Sequence, residues 1–221
     1  MPELLRAVEI ETGGKVRASI LWLHGLGADG HDFEPIVPHL GLDGRGVRFI
    51  FPHAPRRAVT INMGLLMPAW FDIREQDFSA KVDDIGIRAS AAQVEALVTR
   101  ERERGVPAER IVLAGFSQGG VIALHVALRW KERLAGAIGL STFLPETVTQ
   151  PDELSQANAA LPVFVAHGEE DPLIPLLWAQ HARDRLVALD YPVVWKTYPM
   201  EHQVCAEEIA DLATWIEQRL G

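Results

Sequence analysis

The chain has 221 residues, 48% of them hydrophobic, and a formal net charge of −9 at pH 7. That length suffices to bury one α/β core or two small ones, and the acidic balance argues against nucleic acid as a partner, since nothing offsets phosphate repulsion. A lone cysteine, Cys205, excludes an internal disulfide and a multi-cysteine metal site, and no apolar run reaches the roughly 18–20 residues of a membrane span.

The opening residues, Met1-Pro2-Glu3-Leu4-Leu5-Arg6, have neither the basic start nor the apolar centre of a secretory signal. The expectation is a cytoplasmic protein without integral membrane association. Residues 4–10 and 17–23 read as strands about the turn Thr12-Gly13-Gly14-Lys15. The second is almost wholly apolar, as a strand covered on both faces should be. It runs into the glycine-rich loop His24-Gly25-Leu26-Gly27-Ala28-Asp29-Gly30, followed by a short helix over 32–40 and a strand over 47–51.

Residues 52–81 show little periodicity and read as one long irregular stretch. Loops of this length in compact domains are usually functional, and this one is too apolar for a disordered linker. Leu65, Leu66, Met67 and Trp70 are therefore expected on a binding surface. A helix is expected over 82–104, with Ile85, Ala89, Ala92 and Ala96 as its packing stripe. The mixed run Arg100-Glu101-Arg102-Glu103-Arg104 reads as its solvated end.

An apolar strand over 110–114 leads into Gly115-Phe116-Ser117-Gln118-Gly119-Gly120 and then a helix to about residue 130. Strands follow over 134–140 and 161–166, with a loop-like 141–160 between them, then a helix over 176–190 and a last strand over 192–198. The C-terminal helix sets Cys205, Ile209, Leu212 and Ile216 on one face, with Glu207, Glu208, Asp211 and Glu217 on others. Strands alternating with helices of this length imply βαβ crossovers. The whole chain, 1–221, is expected to be one α/β domain with a mostly parallel central sheet and helices on both faces.

Small-x-Ser-x-small between a strand and a helix is the setting of a nucleophile elbow. The alternative is a glycine-rich turn whose serine caps the helix. A serine hydroxyl is a weak nucleophile at neutral pH, so Ser117 needs a base and donors for the developing oxyanion. In a parallel α/β sheet such partners collect at the carboxyl ends of the strands. Asp171, in HGEEDP (167–172), and His202, in YPMEH (198–202), each follow a predicted strand, and the order Ser, Asp, His is that of α/β-hydrolases. Glu169 and Glu170 compete for the acid role and His53 for the base; the remaining histidines read as loop or helix residues. The expected oxyanion donors are the backbone N–H groups of Gln118 and of Leu26 in the glycine-rich loop. That loop lacks the Lys-Ser/Thr ending of a phosphate-binding loop and fits no dinucleotide fingerprint.

LHGLGADG (23–30), PHAP (52–55), VTINMGLLMPAWFDI (59–73), GFSQGG (115–120), HGEEDPLIP (167–175) and YPMEH (198–202) span nearly the whole chain. With these segments in this order, the sequence resembles the phospholipase/carboxylesterase family, which includes acyl-protein thioesterases and bacterial carboxylesterases. The resemblance implies a single-domain α/β-hydrolase without a large cap, no cofactor and no metal. It assigns Ser117 as nucleophile, Asp171 as acid, His202 as base, and Leu26 and Gln118 as oxyanion donors. Two features depart from the pattern: Glu201 and Gln203 flank His202, where glycine and serine are frequent, and Ser141-Thr142-Phe143 stands where a Gly-Tyr pair is frequent.

The resulting expectation is an esterase or thioesterase acting on short to medium acyl chains, with lysophospholipids or acylated proteins among candidate substrates. The acyl groove would be formed by Leu65, Leu66, Met67, Trp70, Phe143, Leu173 and Ile174. Competing readings are a serine peptidase, a dienelactone-type hydrolase (disfavoured because the elbow holds no cysteine) and a non-catalytic binding protein of the same fold. An exposed apolar loop near the site would serve a homodimer as well as a ligand.

Overall fold

The computed structural model describes residues 4–75 and 82–221. Strands β1 (Ala7–Glu11) and β2 (Ala18–Leu23) open the chain. The segment expected as a short helix forms a 3₁₀ helix, Glu34–Leu40, because Pro38 removes an amide donor that an α-helix would use; Pro35, in the first turn, removes none. Strand β3 (Val47–Pro52) follows.

The stretch expected to be irregular instead contains a two-stranded antiparallel hairpin, β4 (Arg56–Val59) and β5 (Leu65–Pro68). Its turn is made by Met63 and Gly64, both at positive φ. The remainder of that stretch, 76–81, lies outside the described residues, as do the first three of the chain. Then come α1 (Asp84–Glu103), β6 (Ile111–Phe116), α2 (Gln118–Arg129), β7 (Gly136–Leu140), β8 (Val163–Gly168), α3 (Leu176–Ala188), β9 (Val193–Tyr198) and α4 (Ala206–Leu220). The segment between β7 and β8 carries three short 3₁₀ turns.

Seven strands form one sheet in the order β1-β3-β2-β6-β7-β8-β9, with β1 antiparallel and every other neighbouring pair parallel. The period-2 alternation of strands divides their side chains between two cores. Leu21, Leu23, Leu113, Val163 and Val165 pack with residues of α1, α2 and α3, while Ile20, Trp22, Val112, Ala114, Phe164 and Ala166 pack with the 3₁₀ helix and α4. The mostly parallel sheet covered on both faces is thus as expected.

Two helix faces differ from expectation. In α1 the buried stripe is Ile87, Ala91, Val94, Leu97 and Val98, whereas Ile85 is 83% exposed and Ala89 and Ala92 face outward. Both stripes have helical spacing, but the one with bulkier side chains removes more apolar area from water. Glu101, expected on a solvated end, is fully buried, where it accepts from Ser19 Oγ at 2.8 Å and Arg48 Nη1 at 2.7 Å. In α4, Glu208 is also fully buried rather than on a polar face. It stands four residues before Leu212 and so extends the buried stripe of Leu212, Trp215 and Ile216.

The sheet order reverses at β2: the chain steps from β2 outward to β3 and returns with β6 on the other side. Parallel sheets bind ligands outside the strand carboxyl ends at such a reversal. Leu23 at the end of β2 is paired in register with Gly115 near the end of β6. The His24–Gly27 loop and Ser117 therefore emerge side by side.

Candidate active site

Ser117 sits between β6 and α2 at φ +54° and ψ −122°, a conformation that costs a non-glycine residue about 1–3 kcal/mol. Its surroundings hold it there. The Ser117 N–H donates to Leu140 O at 2.8 Å, and its carbonyl accepts from Thr142 Oγ1 at 2.7 Å and from the Gly120 N–H at 3.0 Å. A Cβ on Gly115 would overlap the Gly119 carbonyl, and one on Gly119 would overlap the Leu23 carbonyl, so helix and strand meet backbone to backbone. This is the elbow expected from sequence; Ser117 makes no side-chain cap on α2.

The next residue is tied in place by its side chain. Gln118 Nε2 donates to Phe71 O at 2.7 Å and Oε1 accepts the Trp70 N–H at 2.7 Å. Trp70 Nε1 in turn donates to His24 O at 2.8 Å, and the Trp70 carbonyl accepts from Ser90 Oγ. His24 anchors the glycine-rich loop from within: one ring nitrogen, Nδ1, meets Gly25 O at 2.7 Å, and Nε2 accepts the Ala54 N–H at 3.1 Å. A carbonyl can only accept, so Nδ1 carries the proton. Burial lowers the His24 pKa against the pull of that carbonyl, and the ring is neutral at pH 7.

Asp171 follows β8 and His202 follows β9, and His202 Nδ1 lies 2.7 Å from Asp171 Oδ2. The other carboxylate oxygen, Oδ1, accepts the N–H groups of Leu173 at 2.9 Å and Ile174 at 2.8 Å. Burial pushes the Asp171 pKa up, but the His202 bond and these amides outweigh it and hold it below the usual range. Phe116 packs on the imidazole with ring centroids 4.8 Å apart. With Nδ1 committed to the carboxylate, Nε2 is the ring nitrogen left for a substrate-side proton.

Ser117 and His202 line one cavity of about 370 Å³, together with Leu26, Gln118, Phe143, Leu173 and Ile174. A larger cleft of about 850 Å³ lies beyond Phe143 and includes none of Ser117, Asp171 and His202. The rival groups lie elsewhere: Glu169 accepts from Thr197 Oγ1 at 2.7 Å, Glu170 is exposed, and His53 Nδ1 accepts the Gly30 N–H at 3.1 Å. Glu201 and Gln203 are both exposed. Among the described residues, no group of three or more His, Cys, Asp or Glu is placed to hold a metal ion.

Four expected groove residues do not line this cavity. Trp70 is fully buried and braces the loops behind it; Leu65 and Leu66 are 63% and 60% exposed on the hairpin; Met67 packs its sulfur against Asn62 Nδ2 at 3.2 Å. A run of apolar residues was expected to face a ligand as a unit, but a strand sends successive side chains in different directions. Sequence reasoning missed Ile61, Asn62, Ile73 and Phe116, which do line it. Ile61 and Ile73 are joined by an N–H···O=C bond of 2.8 Å across the root of the hairpin, a pairing visible only once the hairpin is known.

Comparisons with known proteins bear on the family and the fold. A family model described as Phospholipase/Carboxylesterase matches residues 6–220. An acyl-protein thioesterase 1 of Cryptococcus neoformans is 35% identical over 237 aligned positions, covering 100% of both chains. The acyl-protein thioesterase 1 of Gibberella zeae is 36% identical, covering 92% of this chain and 91% of its own. Among solved structures, acyl-protein thioesterase 2 of Zea mays superposes with a TM-score of 0.86 at 29% identity, covering 98% of this chain and 99% of that one. With a match running from the first strand to the last helix, the chain belongs to the phospholipase/carboxylesterase family.

Proposed function

We propose that this protein is a serine hydrolase that cleaves acyl esters and thioesters, with Ser117 as nucleophile, His202 as base and Asp171 as the residue that orients it. The single observation that carries the reading is the 2.7 Å His202–Asp171 contact beside a strained Ser117, with His202 and Ser117 on one cavity. His202 Nε2 takes the hydroxyl proton as Ser117 attacks the acyl carbonyl, and the oxyanion is received by the N–H groups of Leu26 and Gln118. The imidazolium then protonates the leaving alcohol or thiol, and the neutral ring activates water against the acyl-enzyme. Asp171 stays ionised throughout, holding the tautomer and stabilising the imidazolium.

Phe143, Ile174, Ile61 and Ile73 give the cavity an apolar lining suited to a short or medium acyl chain. The names of the relatives support a thioester of an acylated protein as a substrate class. A cytoplasmic setting is supported by an unpaired Cys205, and among the described residues no helix is long and apolar enough to cross a membrane. The exposed Met63, Leu65 and Leu66 at the hairpin tip support a homodimer, which a monomeric mass in sedimentation would refute.

Ser117→Ala is expected to abolish hydrolysis of p-nitrophenyl butyrate and labelling by a fluorophosphonate, with an unchanged far-UV CD spectrum. Wild-type activity in that variant would remove the nucleophile assignment. A wild-type protein that is folded but neither hydrolyses the ester nor takes the label would be a binding protein instead.

A further inference from the structure

His167, the penultimate residue of β8, is fully buried and has no part in the proton transfers above. Its Nε2 lies 2.7 Å from Ile174 O and 3.3 Å from Asp171 Oδ2. Because the Ile174 carbonyl can only accept, Nε2 carries the proton and Nδ1 is bare. Burial lowers the His167 pKa, so the ring is a neutral donor at pH 7.

The loop from Gly168 to Ile174 is thereby closed at its far end. Ile174 is held at both sides of its own unit: its N–H donates to Asp171 Oδ1 and its C=O accepts from His167. Asp171 Oδ2 faces two ring nitrogens, His202 Nδ1 in front and His167 Nε2 behind. The carboxylate is held at Oδ1 by the two amides and at Oδ2 by His202, with His167 Nε2 in contact behind it. Among the described residues, Nδ1 of His167 is buried without a hydrogen-bond partner. An unpaired buried nitrogen costs about 1–3 kcal/mol, which an apolar side chain of similar bulk would avoid.

We infer that His167 is a positioning residue for the hydrolase: its Nε2–H fixes the Asp171 loop, and through Asp171 it aims the His202 imidazole. The inference rests on the triad reading above. A donor at the Nε2 position should suffice for this role, and glutamine supplies one while leucine does not. Asparagine places its amide nitrogen near Nδ1 instead.

The test measures kcat for p-nitrophenyl butyrate per active site, counted by exhaustive fluorophosphonate labelling, in the full chain. His167→Leu is expected to lower kcat per labelled site about 10–100-fold, the scale of a misaligned catalytic group, with KM within about twofold. His167→Gln should recover most of that loss, and His167→Asn should not. A purely structural role would reduce the number of labelled sites and leave kcat per site unchanged; that result overturns the inference. If His167→Leu does not fold, the Gln and Asn pair decides, and equal activity of the two overturns it. Failure of the wild type to turn over or label would instead remove the triad reading.

Discussion

Asp171, bonded to His202, and Glu208, six residues after it, are both buried carboxyl groups, yet their surroundings give them opposite charge states. Asp171 receives two backbone N–H groups and an imidazole, and its pKa falls below the ordinary range despite burial. Glu208, in the first turn of α4, has no partner at full hydrogen-bond geometry among the described residues. Burial raises its pKa from 4.5 to about 8, with the Cys205 N–H pulling it back only in part. Burial pushes both pKa values upward; the donors decide the charge. One group is ionised and able to orient a base, and the other is neutral core at pH 7.

Removing the charge of the first group should produce the largest effect. Asp171→Asn is expected to lower kcat for p-nitrophenyl butyrate about 10³–10⁴-fold. A loss under tenfold would transfer the acid role to Glu169 or Glu170.

For Glu208 the effect should appear in stability and depend on pH. A carboxyl whose pKa is raised on folding contributes stability that is fully present below its unfolded value, 4.5, and lost as pH rises through about 8. Glu208→Gln removes this dependence. In urea unfolding it should be on the order of 1–3 kcal/mol more stable than wild type at pH 9, with little difference at pH 4.5. A difference equal at both pH values would show that the Glu208 pKa is not raised on folding. Asp171 works in the opposite sense: its contribution is present above the ordinary 3.8 and is lost as pH falls through its lower folded value. The smallest effect is expected at the exposed carboxyl of Glu169, bonded to Thr197. Glu169→Gln should leave kcat and KM within about twofold of wild type, and a larger fall would put that group in the site.

The features legible from sequence were those fixed locally or by strand ends. The six central parallel strands, the elbow and the His202–Asp171 pairing followed from apolar runs, turn residues and the rule that catalytic groups gather at carboxyl ends. What escaped was decided by long-range packing. The hairpin Arg56–Pro68 depends on pairing between two four-residue strands with weak alternation. The α1 face depended on which of two helical stripes met the sheet. Trp70 read as a ligand contact because its partners, His24 and Gln118, lie 46 and 48 residues away. Glu208 was hidden by its charge, although its spacing from Leu212 already placed it on the buried stripe.

Gln118 illustrates how the identity of the residue beside Ser117 can be dictated from far along the chain. Its amide must give a proton to one peptide carbonyl and take one from the adjacent peptide N–H, at Phe71 and Trp70. Glutamate could satisfy only the accepting half, lysine only the donating half, and asparagine is one carbon too short. The grammar of this position is therefore that of a strand partner: a side chain imitating a backbone, pairing with residues 70–71 as a neighbouring strand would.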